Sequence, residues 1–270
     1  MRVPSTFGVL FLAAAAAALS LPAHSTHVQF AQRPDMVAGT DVTSMHRSFG
    51  PVVADDFIVN KPEIVGFRWW GSYFAAAGQA QGQQRGVTFE LSYHTDCAAG
   101  APISSQCPGD PRAAGAAPTP YPYSTPGQPY SFQILTAQET YFGTTAGGED
   151  VYEYFVMLPT HWAATPGALA WLDVAWAAGQ FGTDASADLW GWHESDEHHL
   201  DFAVQTDSAA NRLLAQLGAN PHLGPWNVLQ GRDMAFEVIT VPEPISLVLV
   251  GIALLAAGAA GGRRPRAQVR

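Results

Sequence analysis

Alternation of apolar and polar side chains is the main pattern in the central part of the chain. In the segment GVTFELSYH, residues 86–94, the apolar side chains fall on one face of an extended strand. The polar ones, with Glu90, Ser92 and His94 among them, fall on the other face. A period of two with one polar face predicts a half-buried β-strand.

Similar β-rich runs recur along the chain, separated by connections that contain glycine or proline. They begin at Val52, Glu63, Pro129, Val151, Ala168, Ala187, His199 and Met234. Many short strands in series predict a mainly β fold, a single sandwich-like or jelly-roll-like domain.

Two segments depart from this pattern. Residues 208–218 favour a helix, because Ser208 can cap its start and Gly218 can end it. The stretch from about 97 to 128 is rich in proline, alanine and glycine, which predicts a flexible surface loop.

Both ends of the chain predict export. Residues 1–25 have a short charged start, an apolar run and small residues at the exit, which is typical of a secretory signal peptide. Residues 245–262 carry no charge, and as a helix they would cover about 27 Å, close to the ~30 Å core of a bilayer. The arginines that follow, Arg263, Arg264 and Arg266, predict a cytoplasmic stop, with the body on the opposite side.

The last thirty residues, 241–270, also resemble a known sorting signal. Pro242, Glu243 and Pro244, one apolar span and a terminal arginine cluster stand in the order of the PEP-CTERM signal of Gram-negative and related bacteria. The resemblance implies an exosortase as partner, processing near the Pro-Glu-Pro triplet, and delivery to the cell surface or the extracellular matrix. The predicted β domain then spans residues 26–240.

The body carries a weaker resemblance. The motifs ADDF at 54–57, IVGFRWWGSYF at 64–74 and LWGWHES at 189–195 look like an uncharacterised β-sandwich domain of exported bacterial proteins. The resemblance implies the fold and no activity.

Charge and cysteine usage narrow the classes of function. Between Ser25 and Thr240, eight basic residues oppose 22 acidic ones, a net charge of −14 with neutral histidines. Such a surface excludes nucleic acid as a partner, because phosphate neutralisation needs lysine and arginine. The only two cysteines, Cys97 and Cys107, have nine residues between them, which in an exported protein predicts a disulfide closing a surface loop.

The densest polar cluster is HESDEHHLD, residues 193–201. Its candidate metal ligands are His193, Glu194, Asp196, His199 and Asp201. Carboxylates and imidazoles could supply a Ca²⁺ or transition-metal site, but solvated turns collect the same residues, so no cofactor is the leading expectation. The flanking strands predict a hairpin turn here.

The pair Asp55 and Asp56 is a second polar candidate. Neighbouring residues of a strand face opposite ways. One aspartate would cap a turn or pair with Arg68, and the other would join a calcium site.

Eight tryptophans are explained mainly by core packing. Trp190 and Trp192 share one strand face, and if exposed they would stack on sugar rings of an exopolysaccharide.

No G-x-S-x-G, phosphate-loop or dinucleotide motif occurs, so catalysis is not expected. The leading hypothesis is an exported surface or matrix protein with a structural or interaction role. A carbohydrate-binding module and a metal-dependent hydrolase centred on residues 193–201 are the alternatives.

Overall fold

The computed structural model describes residues 27–45, 51–75, 88–107, 109–110, 119–177, 188–206 and 224–241. The chain divides into two units, Val28–Thr240 and the two ends, Met1–His27 with Val241–Arg270. The expected signal peptide, the helix at 208–218 and the sorting tail from Pro242 onward lie outside the described residues. Within the described ranges no helix has the length and apolar character needed to cross a bilayer.

The described residues form fourteen β-strands. Their bounds are β1 His27–Gln32, β2 Asp41–Thr43, β3 Val53–Ile58, β4 Glu63–Ala75, β5 Thr88–Cys97, β6 Thr125–Thr136, β7 Gln138–Thr144, β8 Asp150–Ala163, β9 Leu169–Trp176, β10 Asp188–Ser195, β11 Val204–Thr206, β12 Trp226–Val228, β13 Asp233–Met234 and β14 Phe236–Thr240.

These strands build two antiparallel sheets in a sandwich-like arrangement, which confirms the predicted mainly β class. The six-stranded sheet has the order β12-β11-β3-β9-β5-β6. The eight-stranded sheet follows β1-β14-β4-β10-β13, with β8 and then β7 on the other edge of β4, and β2 on the other edge of β10. Inward-facing residues of both sheets share one hydrophobic core.

Aromatic rings fill the centre of that core. Phe89 of β5 lies 5.0 Å from Trp69 of β4, 4.8 Å from Tyr154 of β8 and 5.0 Å from Trp190 of β10, measured between ring centroids. These edge-to-face contacts join the two sheets, and such pairs add to the free energy gained by burial. None of the eight tryptophans is more than 2 % exposed, so the core-packing interpretation of the tryptophans is confirmed.

The polar face of β5 is buried as well, contrary to the prediction of a half-buried strand. Glu90, Ser92 and His94 are all fully shielded from solvent. At the His94 end of this face, the chain entering β6 covers the imidazole: the Gly127 carbonyl oxygen is 2.8 Å from Nδ1 of His94. Tyr121 from the same segment packs in a second apolar cluster on the six-stranded sheet.

The predicted strand at His199 starts later, at Val204, and the predicted hairpin between residues 193 and 201 is wrong. β10 belongs to the eight-stranded sheet and β11 to the six-stranded one, so the segment crosses from one sheet to the other. The alternation pattern did not show this, because a crossover and a hairpin turn have similar polar compositions.

The predicted disulfide is confirmed. Cys97, the last residue of β5, is bonded to Cys107, with the two Cα atoms 5.5 Å apart. Gly127 passes so close that a Cβ there would lie 3.0 Å from Sγ of Cys97 and 2.8 Å from the carbonyl oxygen of Gln106. The closed loop therefore lies directly against the start of β6.

Replacing Phe89 with alanine tests the aromatic centre. Removing a buried phenylalanine leaves a cavity, so we expect the free energy of unfolding to fall by about 3–5 kcal/mol in urea denaturation. Phe202→Ala is the matched control, because its ring is 42 % exposed; its effect should stay below about 1 kcal/mol. Equal losses in the two variants would contradict the proposed core.

Candidate functional site

The first candidate site lies on the outer face of the eight-stranded sheet, where β10 pairs with β2. Trp192 and Val42 are partners in this pairing and both face the shared core. The next pair along, His193 and Asp41, therefore faces outward, since successive residues of a strand alternate. Nδ1 of His193 lies 2.8 Å from Oδ1 of Asp41, and both side chains are 0 % exposed.

A turn between β1 and β2 covers the imidazole. Oδ1 of Asp35 accepts hydrogen bonds from the backbone N–H groups of Val37 and Ala38, at 2.9 and 3.0 Å. The carbonyl oxygen of Asp35 lies 3.0 Å from Nε2 of His193. A Cβ at Gly39 would lie 2.9 Å from that nitrogen, so only glycine allows the turn to approach the ring this closely.

The turn between β7 and β8 brings the third group, Glu149. The N–H of Thr145 donates to the carbonyl oxygen of Glu149, and Thr145 Oγ1 accepts from the Glu149 N–H. Ala146 N–H donates to the carbonyl oxygen of Met36, which ties this turn to the one that covers His193. One ligand atom each from Asp41, Glu149 and His193 lie within 4.8 Å of one another, a grouping that could hold a metal ion.

The electrostatics of this cluster follow from its burial. Burial, and next the negative charge of Asp41, raise the pKa of Glu149 to about 7. Burial by itself would lower the pKa of His193, but the hydrogen bond and charge of Asp41 outweigh it, so the pKa of His193 is raised. The second oxygen of Asp41, Oδ2, is buried and has no hydrogen-bond partner.

Of the metal ligands predicted from the sequence, the structure brings only His193 into this cluster. Glu194 accepts hydrogen bonds from Thr40 and pairs with Arg232 at 2.8 Å. The others are spread along the crossover. Asp196 and Asp201 are exposed, and His199 lies 3.5 Å from Glu197 with about half of its side chain in solvent. This spread gives no support to a hydrolase centred on residues 193–201.

A second polar cluster lies where the crossover meets β3. Asp55 faces the core side: its Oδ2 accepts from the N–H of Met234 at 2.6 Å and its Oδ1 from the N–H of Asp56 at 2.9 Å. Asp56 faces the other way, and its Oδ2 accepts from the N–H of Asp201 at 3.3 Å. Asp233 accepts from His198 and from the N–H of His199, at 3.1 and 3.2 Å.

Burial is the main cause of the raised pKa values of Asp55 and Asp56. Burial raises the pKa of Asp56 to about 8, and the charges of Asp201, Asp233 and Asp96 act in the same direction. Burial and the charge of Asp233 raise the pKa of Asp55 well above its usual range. Because its pKa is about 8, Asp56 is neutral near pH 7 unless a cation is bound.

The expected pairing of an aspartate with Arg68 is not found. Arg68 pairs with Glu237 and Glu153 instead.

The structure gives no support to sugar stacking by Trp190 and Trp192. Both indoles are 0 % exposed and belong to the shared core. Stacking on a sugar needs an exposed ring face.

One further buried pair is His94 with Asp173, whose Nε2 and Oδ2 atoms are 2.7 Å apart with both side chains 0 % exposed. The other ring nitrogen is taken by the Gly127 carbonyl oxygen, and Asp173 Oδ1 accepts from the Ser92 N–H at 3.2 Å. This pair satisfies buried polar groups on the outer face of the six-stranded sheet, where both side chains are fully shielded from solvent.

In the described residues, the two sheets, the disulfide and the buried polar clusters define a class, a disulfide-containing protein with a mainly β, sandwich-like fold. Residues 28–239 match the family described as Domain of unknown function (DUF7901), and the chain belongs to that family. No curated protein and no solved structure matches the chain. The matched range coincides closely with the unit Val28–Thr240.

The raised pKa of Asp56 predicts a pH-dependent stability. An unfolded aspartate has a pKa of about 3.9, whereas that of folded Asp56 is about 8. Between these values the folded protein holds the extra proton, so this group's contribution to stability is present at low pH and is lost as the pH rises to about 8. We expect the unfolding temperature, measured in EDTA, to fall over this range, and Asp56→Asn to flatten the fall by keeping the group neutral.

Asp196→Asn is the matched control, because it removes an exposed carboxylate from the neighbouring crossover. Its pH profile should run parallel to that of the unmodified protein. A profile of Asp56→Asn that also runs parallel would show that Asp56 does not carry the extra proton.

Proposed function

We propose that the protein is an exported surface or extracellular-matrix protein with a structural or interaction role. The observation that carries the proposal is the disulfide, which joins both cysteines of the chain. Disulfides persist in oxidising compartments outside the cytoplasm. The bond therefore supports a location outside the cytoplasm, which is also the location that the two predicted end segments indicate.

The proposal includes the route to the surface. Residues 1–25 direct secretion, and a helix over residues 245–262 holds the protein in the inner membrane, with Arg263, Arg264 and Arg266 in the cytoplasm. An exosortase then acts at Pro242, Glu243 and Pro244. Proline fixes φ and lacks an N–H, which keeps this triplet extended and accessible to a protease groove.

The acidic body fits a protein that works outside the cell without binding the membrane surface. Its net charge repels anionic lipids and nucleic acid, and it keeps the domain soluble. Held first by its tail and then released to the surface or the matrix, the sandwich would act through its faces and loops.

Intact mass of the mature protein tests the proposal. In cells with the exosortase we expect a product without residues 1–25 and without most of residues 245–270. In cells lacking the enzyme the tail should be retained and the product should remain in the membrane fraction. Thiol labelling without reductant should leave Cys97 and Cys107 unmodified.

A variant with alanine at Pro242, Glu243 and Pro244 should behave like the wild-type chain in cells without the exosortase. The matched control is Gln268→Ala, which alters the tail outside the triplet. Loss of the tail independent of the enzyme, or a full-length product recovered in the cytosol with free thiols, would contradict the proposal.

A further inference from the structure

The imidazole of His193 is held in one tautomer. Its Nε2 faces the carbonyl oxygen of Asp35 at 3.0 Å. A carbonyl oxygen only accepts hydrogen bonds, so Nε2 carries the hydrogen and the neutral ring has its lone pair on Nδ1. That lone pair faces Oδ1 of Asp41 at 2.8 Å.

This short contact requires a positive centre beside the two atoms, which is either a second proton on the imidazole or a metal ion. The second oxygen of Asp41 is buried and unpartnered, on a side chain that is 0 % exposed. The carboxyl group of Glu149 joins the same small space. In the form that binds metal, with a neutral imidazole and two carboxylates, the three groups would carry a charge of −2, and a metal ion and protons compete for them.

Two arginines of the described residues, Arg232 and Arg33, form ion pairs with carboxylates outside this cluster. Arg232 is 2.8 Å from Glu194, and Arg33 is 2.9 Å from Glu237. Both guanidinium groups are therefore committed to other carboxylates. A buried charge of this size needs a compensating partner.

We propose that Asp41, Glu149 and His193 bind one divalent first-row transition ion, with Zn²⁺ or Mn²⁺ as the matching class. Imidazole nitrogen with carboxylate oxygen is a usual ligand set for Zn²⁺, whereas Ca²⁺ takes six to eight oxygen ligands. The Asp35 carbonyl orients the histidine in the way that second-shell acceptors orient metal-bound imidazoles. Ligands ~2.1 Å from one ion lie up to about 4.2 Å apart, so side-chain shifts of less than about 1 Å complete the site.

The three ligands come from separate parts of the eight-stranded sheet. Asp41 begins β2, His193 is in β10, and Glu149 is in the turn before β8. Three protein ligands leave a coordination position for water, as in open zinc sites. A bound ion would fasten the β7–β8 turn and the turn at Asp35–Gly39 to the sheet.

Calorimetric titration of the purified full-length chain, stripped with EDTA and dialysed, tests the site directly. We expect one Zn²⁺ or Mn²⁺ to bind per chain and to raise the unfolding temperature, as any ligand specific for the folded state does. Ca²⁺ at the same concentration should leave the unfolding temperature unchanged. Co²⁺ should acquire ligand-field absorption on binding.

Two variants assign the ligands. Glu149→Gln and Asp41→Asn keep the shape of the side chain but remove its charge, and each should weaken Zn²⁺ binding by about 100-fold or more. Asp196→Asn, which alters an exposed carboxylate of the neighbouring acidic segment, should bind as the unmodified chain does. Glu149 is only partly buried and lies in a turn, so its variant keeps the test available if Asp41→Asn fails to fold.

Three results would overturn the proposal. They are the absence of Zn²⁺ and Mn²⁺ binding, unchanged affinity in Glu149→Gln, and loss of affinity in Asp196→Asn. Binding is measured on the purified chain, so its outcome is independent of where the protein is sorted.

Discussion

Contact between aromatic rings of the two sheets is the interaction on which the rest of the structure depends. Phe89 of the six-stranded sheet meets Trp69 and Trp190 of the eight-stranded one. Because side chains alternate along a strand, placing Trp190 and Trp192 in the core puts His193 on the outer face. A shift of β10 by one residue would reverse every one of these positions. The aromatic core thus sets the place of the candidate metal ligands.

Acidic groups in confined places are the second theme of the structure. Asp56 in the six-stranded sheet, and Asp233 and Asp41 in the eight-stranded sheet, each have a buried oxygen without a hydrogen-bond partner. Desolvation is costly for carboxylates, so such groups take up a proton or a cation. At Asp56 of β3 we expect a bound proton, since the neighbours are mainly other aspartates. At Asp41 the imidazole of His193 adds a nitrogen ligand, which favours a metal ion.

Much of the fold could be predicted from alternation alone, because strands such as β5 and β9 have a strict apolar face. The strands that escaped notice are short or exposed, such as β2 and β7, and carry too few apolar residues for a pattern. The candidate site was harder to predict from the sequence than the strands. His193 stood out in an acidic segment, but its partners are distant in sequence: Asp41 meets it through the pairing of β2 with β10, and Glu149 through contact between two turns. Local composition contains no information on either contact.

Oxidative footprinting of the native protein, resolved by mass spectrometry, tests the central claim about β10 most directly. The account predicts that Trp190 and Trp192 stay unmodified, while Met157, which is 45 % exposed, and Tyr141, which is 56 % exposed, react. Unfolding in denaturant should then make both tryptophans reactive. Rapid oxidation of Trp190 or Trp192 in the folded chain would contradict the register of β10, and with it the placement of His193 beside Asp41.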